Sequence, residues 1–321
     1  LEFSSLISGY MQSKIDVITW QIILNFKTIF LGIIIEALPF ILISVIVSSV
    51  LHNFVSEELI QKVLPKSKIY SILLACFLGM IFPACDCGMV PIVRRLVKKG
   101  VPLYSAVAFM LSAPIINPVV ATATMYAFNS SEVALTRISV AFLVAFTTGW
   151  LTSKFFSGTE LKDTGHSHEH EHGHDHDCGC ACHSHEEHTI AGKFFNVLDD
   201  ACAEFFEMGK YLILGSFIGA AAQTFIPRVL LLNVGHESFL SIVVMMLFAF
   251  TISVCSSADA FIASSFSTSF TMGSLVAFMV FGPMIDIKNT LMLAHTFRWR
   301  FVVFLVVMVS LLCGLQTYLF I

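Results

Sequence analysis

The sequence predicts an all-α protein: a polytopic transmembrane helical bundle of about eight helices in two repeats, several of them interrupted. Three observations predict it. Of 321 residues, 56% are hydrophobic and 12% charged, against about 45–50% and about 25% in ordinary soluble proteins. Apolar runs long enough to cross a hydrocarbon core, about 20 residues each, recur along the whole chain. The third observation is internal repetition. Pro83-Ala-Cys85-Asp-Cys87 is answered by Ser253-Val-Cys255-Ser-Ser257 at an offset of 170 (255 minus 85), and Ala113-Pro114-Ile115-Ile116-Asn117 by Gly282-Pro283-Met284-Ile285-Asp286 at 169. Glu36 is likewise answered by Glu207, in the same order along the chain.

In the first half, residues 1–157, four spans are expected near Ile22–Leu51, Ile69–Val93, Leu103–Phe128 and Val133–Phe156. Each gap has a local cause: the charged stretch from His52 to Lys68 with Pro65, the basic turn from Arg94 to Pro102, and Asn129-Ser130-Ser131-Glu132. The second half, residues 193–321, repeats the scheme near Phe194–Ile226, Phe239–Phe266, Met272–Ala294 and Phe301–Ile321. Leu1 to Asp16 does not have the pattern of a signal peptide.

Between the halves, residues 158–192 lose their apolar character. His166, His168, His170, His172, His174 and His176 alternate with small and acidic residues, followed by Cys178, Cys180, Cys182, His183, His185 and His188. So many polar groups belong outside the bilayer. Imidazole and thiolate together suit Zn, Cu and Ni, so this loop is expected to chelate transition-metal ions. Its spacing fits no single zinc-finger pattern. No other cofactor is expected.

The densest basic cluster, Arg94, Arg95, Lys98 and Lys99, is expected in the cytoplasm. Eight full crossings with parallel repeats is the preferred topology, and it puts both termini and the His-rich loop on that side. It also strands Lys62, Lys66, Lys68, Arg298 and Arg300 on the other. In the alternative, one stretch in each half is re-entrant; the repeats are then inverted and the His-rich loop faces outward.

The stretch Phe82–Pro91 is the focus of the chain. Prolines and Gly88 preclude a smooth helix, so backbone groups lose helical partners. At membrane depth that is tolerated where the backbone lines a cavity or is buried in protein. Interrupted segments at corresponding places in two halves point to a transporter's site. Cys85, Cys87 and Cys255 lie at those breaks, and converging thiolates favour Cu(I), Zn(II), Cd(II) or trivalent arsenic. A Cys85–Cys87 disulfide is not expected across one intervening residue. Cys76, Cys202 and Cys313 read as core packing. Glu36, Asp86, Asp259 and Asp286 are costly inside apolar runs, about 2.5–3.5 kcal/mol at a helix centre, and are expected to face a cavity or a partner and to serve as proton carriers. The plainer reading is neutralisation by a nearby base, such as Lys288 beside Asp286. Asn117 is expected to line the path at the Pro114 break.

Pro83-Ala-Cys85-Asp-Cys87-Gly88, Pro91, Gly100-Val-Pro102 and Ser112-Ala-Pro114-Ile-Ile-Asn117-Pro118 together resemble the ArsP-like predicted permeases. The resemblance covers nearly the whole chain apart from the His-rich loop. It implies efflux: family members export trivalent organoarsenicals, and a branch with His-rich central loops is linked to copper or zinc. Ser257 stands where a fourth thiol would be, so a symmetric four-thiol site is not implied.

The expected function is therefore a multi-pass inner-membrane permease, not an enzyme, that exports a thiophilic metal or metalloid with proton coupling. No Gly-x-x-x-x-Gly-Lys-Ser/Thr loop is present for ATP hydrolysis. A membrane thiol oxidoreductase is the alternative, disfavoured by the lack of Cys-x-x-Cys-His or paired membrane histidines; a membrane-anchored metal sensor or assembly protein is another. The expected partners are membrane lipids and the transported ion, without nucleic acid; a homo-oligomer is left open.

Overall fold

A computed structural model describes residues 2–54, 65, 67–81, 85–156, 158, 160–162, 190–225 and 238–320. Pro83, Ala84 and the candidate metal ligands from His166 to His188 lie outside the described residues. The first half folds as α1 (Glu2–Phe54), α2 (Lys68–Ile81), α3 (Asp86–Lys98), α4 (Leu103–Ser112), α5 (Pro118–Phe128) and α6 (Ser131–Phe155). The second folds as α7 (Ile190–Phe225), α8 (Ser238–Ile252), α9 (Asp259–Ser265), α10 (Met272–Met284), α11 (Ile287–Thr296) and α12 (Trp299–Phe320). Each of the eight expected apolar segments is present. Four are continuous, and four are broken into the pairs α2–α3, α4–α5, α8–α9 and α10–α11.

The breaks follow from local chemistry. Pro114 has no amide hydrogen to continue α4, and Asn117 restarts the chain as the N-cap of α5. Its side chain accepts from Val120 N at 2.9 Å and donates to the orphaned Ala113 carbonyl at 3.1 Å. Asp286 does the same 169 residues on, accepting from Asn289 N at 2.6 Å after Pro283. In the α8–α9 break Ser253 takes a left-handed φ of 53°.

The path of the chain decides the topology. Ser71 meets Ser105 at 2.7 Å, and Gly79 lies against Ser112 and Ala113, so α2 and α4 run in the same direction. Since α3 joins the tip of α2 to the start of α4, it runs back. Accordingly Lys68, Val97, Gly100, Leu103, Ser153 and Phe156 line one pocket at one end of the bundle. α4 and α5 run end to end along antiparallel α6: Gly149 packs on Ala108 near one end, and Arg137 bonds Thr124 at 2.8 Å near the other. The second half mirrors this. α8 runs beside α10, with Phe248 on Phe278 at 5.8 Å, and α9 turns back, bringing Phe266 to Phe248 at 5.9 Å.

Each half thus has three full-length passes and one re-entrant hairpin, and an odd number of passes inverts the second repeat relative to the first. This corrects the eight-crossing, parallel expectation. α1 and α7 lie antiparallel, with Ser49 bonded to Val197 O and Phe26 against Phe217 at 5.2 Å. The correction also gathers the basic residues. Lys68, Lys98, Lys99, Lys154, Lys162, Arg298 and Arg300 fall at the end where α6 finishes and α7 begins, with Arg94 and Arg95 just inside it. The His-rich loop joins α6 to α7 and so departs from and returns to this basic end, not the opposite one.

Candidate functional site

The tips of the two hairpins meet halfway along the bundle, where a small cavity is lined by Ile33, Glu36, Ala37, Phe40, Cys85, Asp86, Cys87, Ser253, Cys255 and Lys288. α1 supplies one wall, the start of α3 another, and the α8–α9 break with the start of α11 the third. Its volume is about 10 Å³, which admits the centre of one water-sized sphere.

Cys85 is the N-cap residue of α3 with extended backbone, φ −82° and ψ 161°. From there the helix sends Cys85, Asp86 and Cys87 to the same place: one ligand atom of each lies within 4.8 Å of the others, and all three residues are buried. The approach of α3 to α1 depends on Gly88, because a Cβ there would lie 2.6 Å from Ser44 Cβ. Cys255 enters from the second half, with its sulfur 3.5 Å from Ser257 Oγ. Glu36 lies at the exposed mouth.

Lys288 closes the site electrostatically. Its Nζ is 3.3 Å from Asp86 Oδ2 and 3.0 Å from Asp286 Oδ2, and it donates a hydrogen bond to Ser253 O at 2.9 Å. One ammonium therefore joins α3 of the first half to the breaks on either side of α10. All three side chains are at most 4% exposed, and a buried pair survives only when its charges are matched closely.

Other expected residues are used differently. Asp259 is held away from the cavity by Arg137, whose Nη2 sits 2.8 Å from its Oδ2 and also donates to the Ser256 and Met279 carbonyls. Asn117 caps α5 and does not line the cavity. Asp286 adjoins the site through Lys288 alone. Glu207 does not join Glu36 at the cavity: it accepts from Arg94 Nη1 at 3.0 Å and meets His295 Nε2 at 2.8 Å, with Tyr211 stacked on the imidazole. Beside it Arg95 pairs with buried Glu204 at 3.2 Å, and Ser48 bonds the same carboxylate. This ionic layer lies between the cavity and the basic end. Sequence reasoning passed over Arg137, although a cation in the apolar Val133–Phe156 run carries the same cost that singled out the acids.

A family model described as a predicted permease matches residues 22–321. The UPF0718 protein YcgR of Bacillus subtilis is 46% identical over 297 residues, covering 91% of this chain and 96% of that protein. A Streptococcus mutans protein, named as a candidate subunit of a two-component membrane permease complex, is 40% identical over 281 residues, 87% of this chain and 89% of its own. No solved structure gives a significant match. Matched from residue 22 to residue 321, and related along nearly its full length to a protein 46% identical, the chain belongs to the ArsP-type family of predicted permeases.

Proposed function

We propose that this membrane permease exports a thiophilic metal or metalloid, copper, zinc or trivalent arsenic, through the cavity between its hairpin tips, with proton coupling. One observation carries the reading: sulfurs from both inverted halves, Cys85 and Cys87 from one and Cys255 from the other, line a single cavity halfway along the bundle. Soft ions prefer sulfur, and a site at the interface of inverted repeats can be opened to each side in turn as the halves rock. The basic end faces the cytoplasm, as an excess of Lys and Arg there favours. The ionic layer of Arg94, Arg95, Glu204, Glu207 and His295 is then the cytoplasmic gate, closed in this conformation. The His-rich segment is a chelating tether on the same side, raising the ion concentration near the entrance. Asp86 and Asp286 are the acids assigned to coupling; Asp259, locked by Arg137, is assigned to structure.

The test is cadmium- or arsenite-dependent uptake into everted vesicles by Cys85→Ser, Cys87→Ser and Cys313→Ser proteins. Exchanging sulfur for a hydroxyl that stays protonated removes a soft ligand with little change in volume. Transport is expected to fall about tenfold or more, equivalent to about 1.4 kcal/mol of lost cargo affinity, in the first two variants. It should persist in the third, whose sulfur packs on Ala277 O outside the cavity. Normal transport by all three would refute the site.

A further inference from the structure

The charges around the cavity do not balance. In its buried part Asp86 and Asp286 bring two formal negative charges and Lys288 brings one positive charge, and Glu36 at the exposed mouth adds a further negative one. The ammonium is within ion-pair reach of both carboxylates, yet its one well-aligned hydrogen bond goes to Ser253 O. Asp86 Oδ2 and Asp286 Oδ2 are buried, and among the described residues neither accepts a hydrogen bond. One ammonium shared between two buried carboxylates leaves them under-compensated, which is costly. Here one carboxylate oxygen of Asp86 stands within 4.8 Å of two sulfurs, in a cavity with room for one small centre.

We propose that Lys288 is the resident counter-cation of the site, standing in for the cargo when the site is empty. On this account a soft cation binds to Cys85, Cys87 and Asp86 and takes over Asp86, while the ammonium withdraws to Asp286, which is already 3.0 Å away. Return of the ammonium to Asp86 then expels the ion. Lys288 makes the site selective for a cation over a neutral thiol-reactive species, since only a cation makes good the charge that the lysine gives up. It acts on the cargo through Asp86, as a positioning residue. The inference rests on the permease reading above.

The experiment compares full-length wild type, Lys288→Gln and Lys288→Arg in everted vesicles, with Cd(II) as the cationic probe and phenylarsine oxide as the neutral one. In Lys288→Gln the ion has no competitor for Asp86 and nothing to expel it. Both the KM and the Vmax for Cd(II) should fall about tenfold, while phenylarsine oxide transport changes less than about twofold. Lys288→Arg, which keeps the charge, should restore part of the Vmax. If Lys288→Gln fails to insert, Asp286→Asn/Lys288→Gln removes one of the two carboxylates together with the ammonium, keeps Asp86 for the ion, and should show the same loss of Cd(II) Vmax. An inserted variant with unchanged Cd(II) kinetics, or with equal losses for both probes, overturns the inference and leaves the permease reading standing. Transport of phenylarsine oxide but not Cd(II) by wild type also overturns it. Wild type that moves neither probe overturns both.

Discussion

Gly88→Ala is a one-methyl test of how the site is held. An added Cβ would lie 1.8 Å from Ser44 Oγ, 2.6 Å from Ser44 Cβ and 3.4 Å from Phe40 O. The hydroxyl can rotate aside. The Cβ is fixed to the backbone of α1, and 2.6 Å is about 1 Å short of an ordinary carbon–carbon contact. α3 must therefore move away from α1 by roughly that amount, and such overpacking costs about 1–3 kcal/mol. The functional effect should be the larger one. Gly88 follows Cys87 directly, and metal–ligand distances tolerate only about 0.2 Å, so transport should drop about tenfold or more while the melting temperature falls modestly. Vesicle transport and a thermal melt are measured for Gly88→Ala alone and combined with Ser44→Ala or Ser44→Gly. Ser44→Ala keeps the offending carbon and should not rescue; Ser44→Gly removes it and should. Equal rescue by both, or normal transport by Gly88→Ala alone, would refute the close approach of the two helices as the element that sets the thiols.

Two further predictions address the frame. Arg137→Met leaves Asp259 buried without its 2.8 Å partner and should cost about 3–5 kcal/mol; Arg137→Met/Asp259→Leu should recover most of it, and a double variant no more stable than the single would contradict a structural pairing. Ser67→Cys and Lys98→Cys, on the two arms of the first hairpin, should react with a membrane-impermeant maleimide from the same side, above the labelling of the parent. Labelling from opposite sides would restore a full crossing over residues 68–98.

The eight apolar segments were legible because hydropathy and length report burial in lipid, and two of the four breaks were legible because Pro114 follows the end of α4 and Pro283 lies in the last turn of α10. The turn-back of α3 was not. Residues 69–93 are as long and nearly as apolar as a crossing, and hydropathy carries no sign of direction. The clue was the stranding of Lys68, Arg298 and Arg300 under eight crossings, a misfit that the hairpins remove. Within the site, repeat arithmetic brought Cys85, Cys87 and Cys255 to one level, and the cost of an acid in lipid flagged Asp86 and Glu36. Asp259 and Asp286 were flagged on the same ground; Lys288 was legible as the base beside Asp286 and does pair with it, but the cation of Asp259 was not legible. Arg137 is 122 residues from Asp259, and Lys288, two residues from Asp286, also reaches Asp86 across the two halves. Pairings of that kind depend on how the halves pack, which no local pattern records.

The most direct test of the account asks whether cargo occupies the thiols at the hairpin tips. Purified full-length protein is treated with N-ethylmaleimide with and without Cd(II), and alkylation is followed at each cysteine by peptide mass spectrometry. The account predicts that Cd(II) protects Cys85, Cys87 and Cys255 together, while Cys202, which is exposed and not in the core as its sequence setting suggested, alkylates at an unchanged rate. Protection confined to Cys178, Cys180 and Cys182, with Cys85 and Cys87 reacting equally in both conditions, would contradict it.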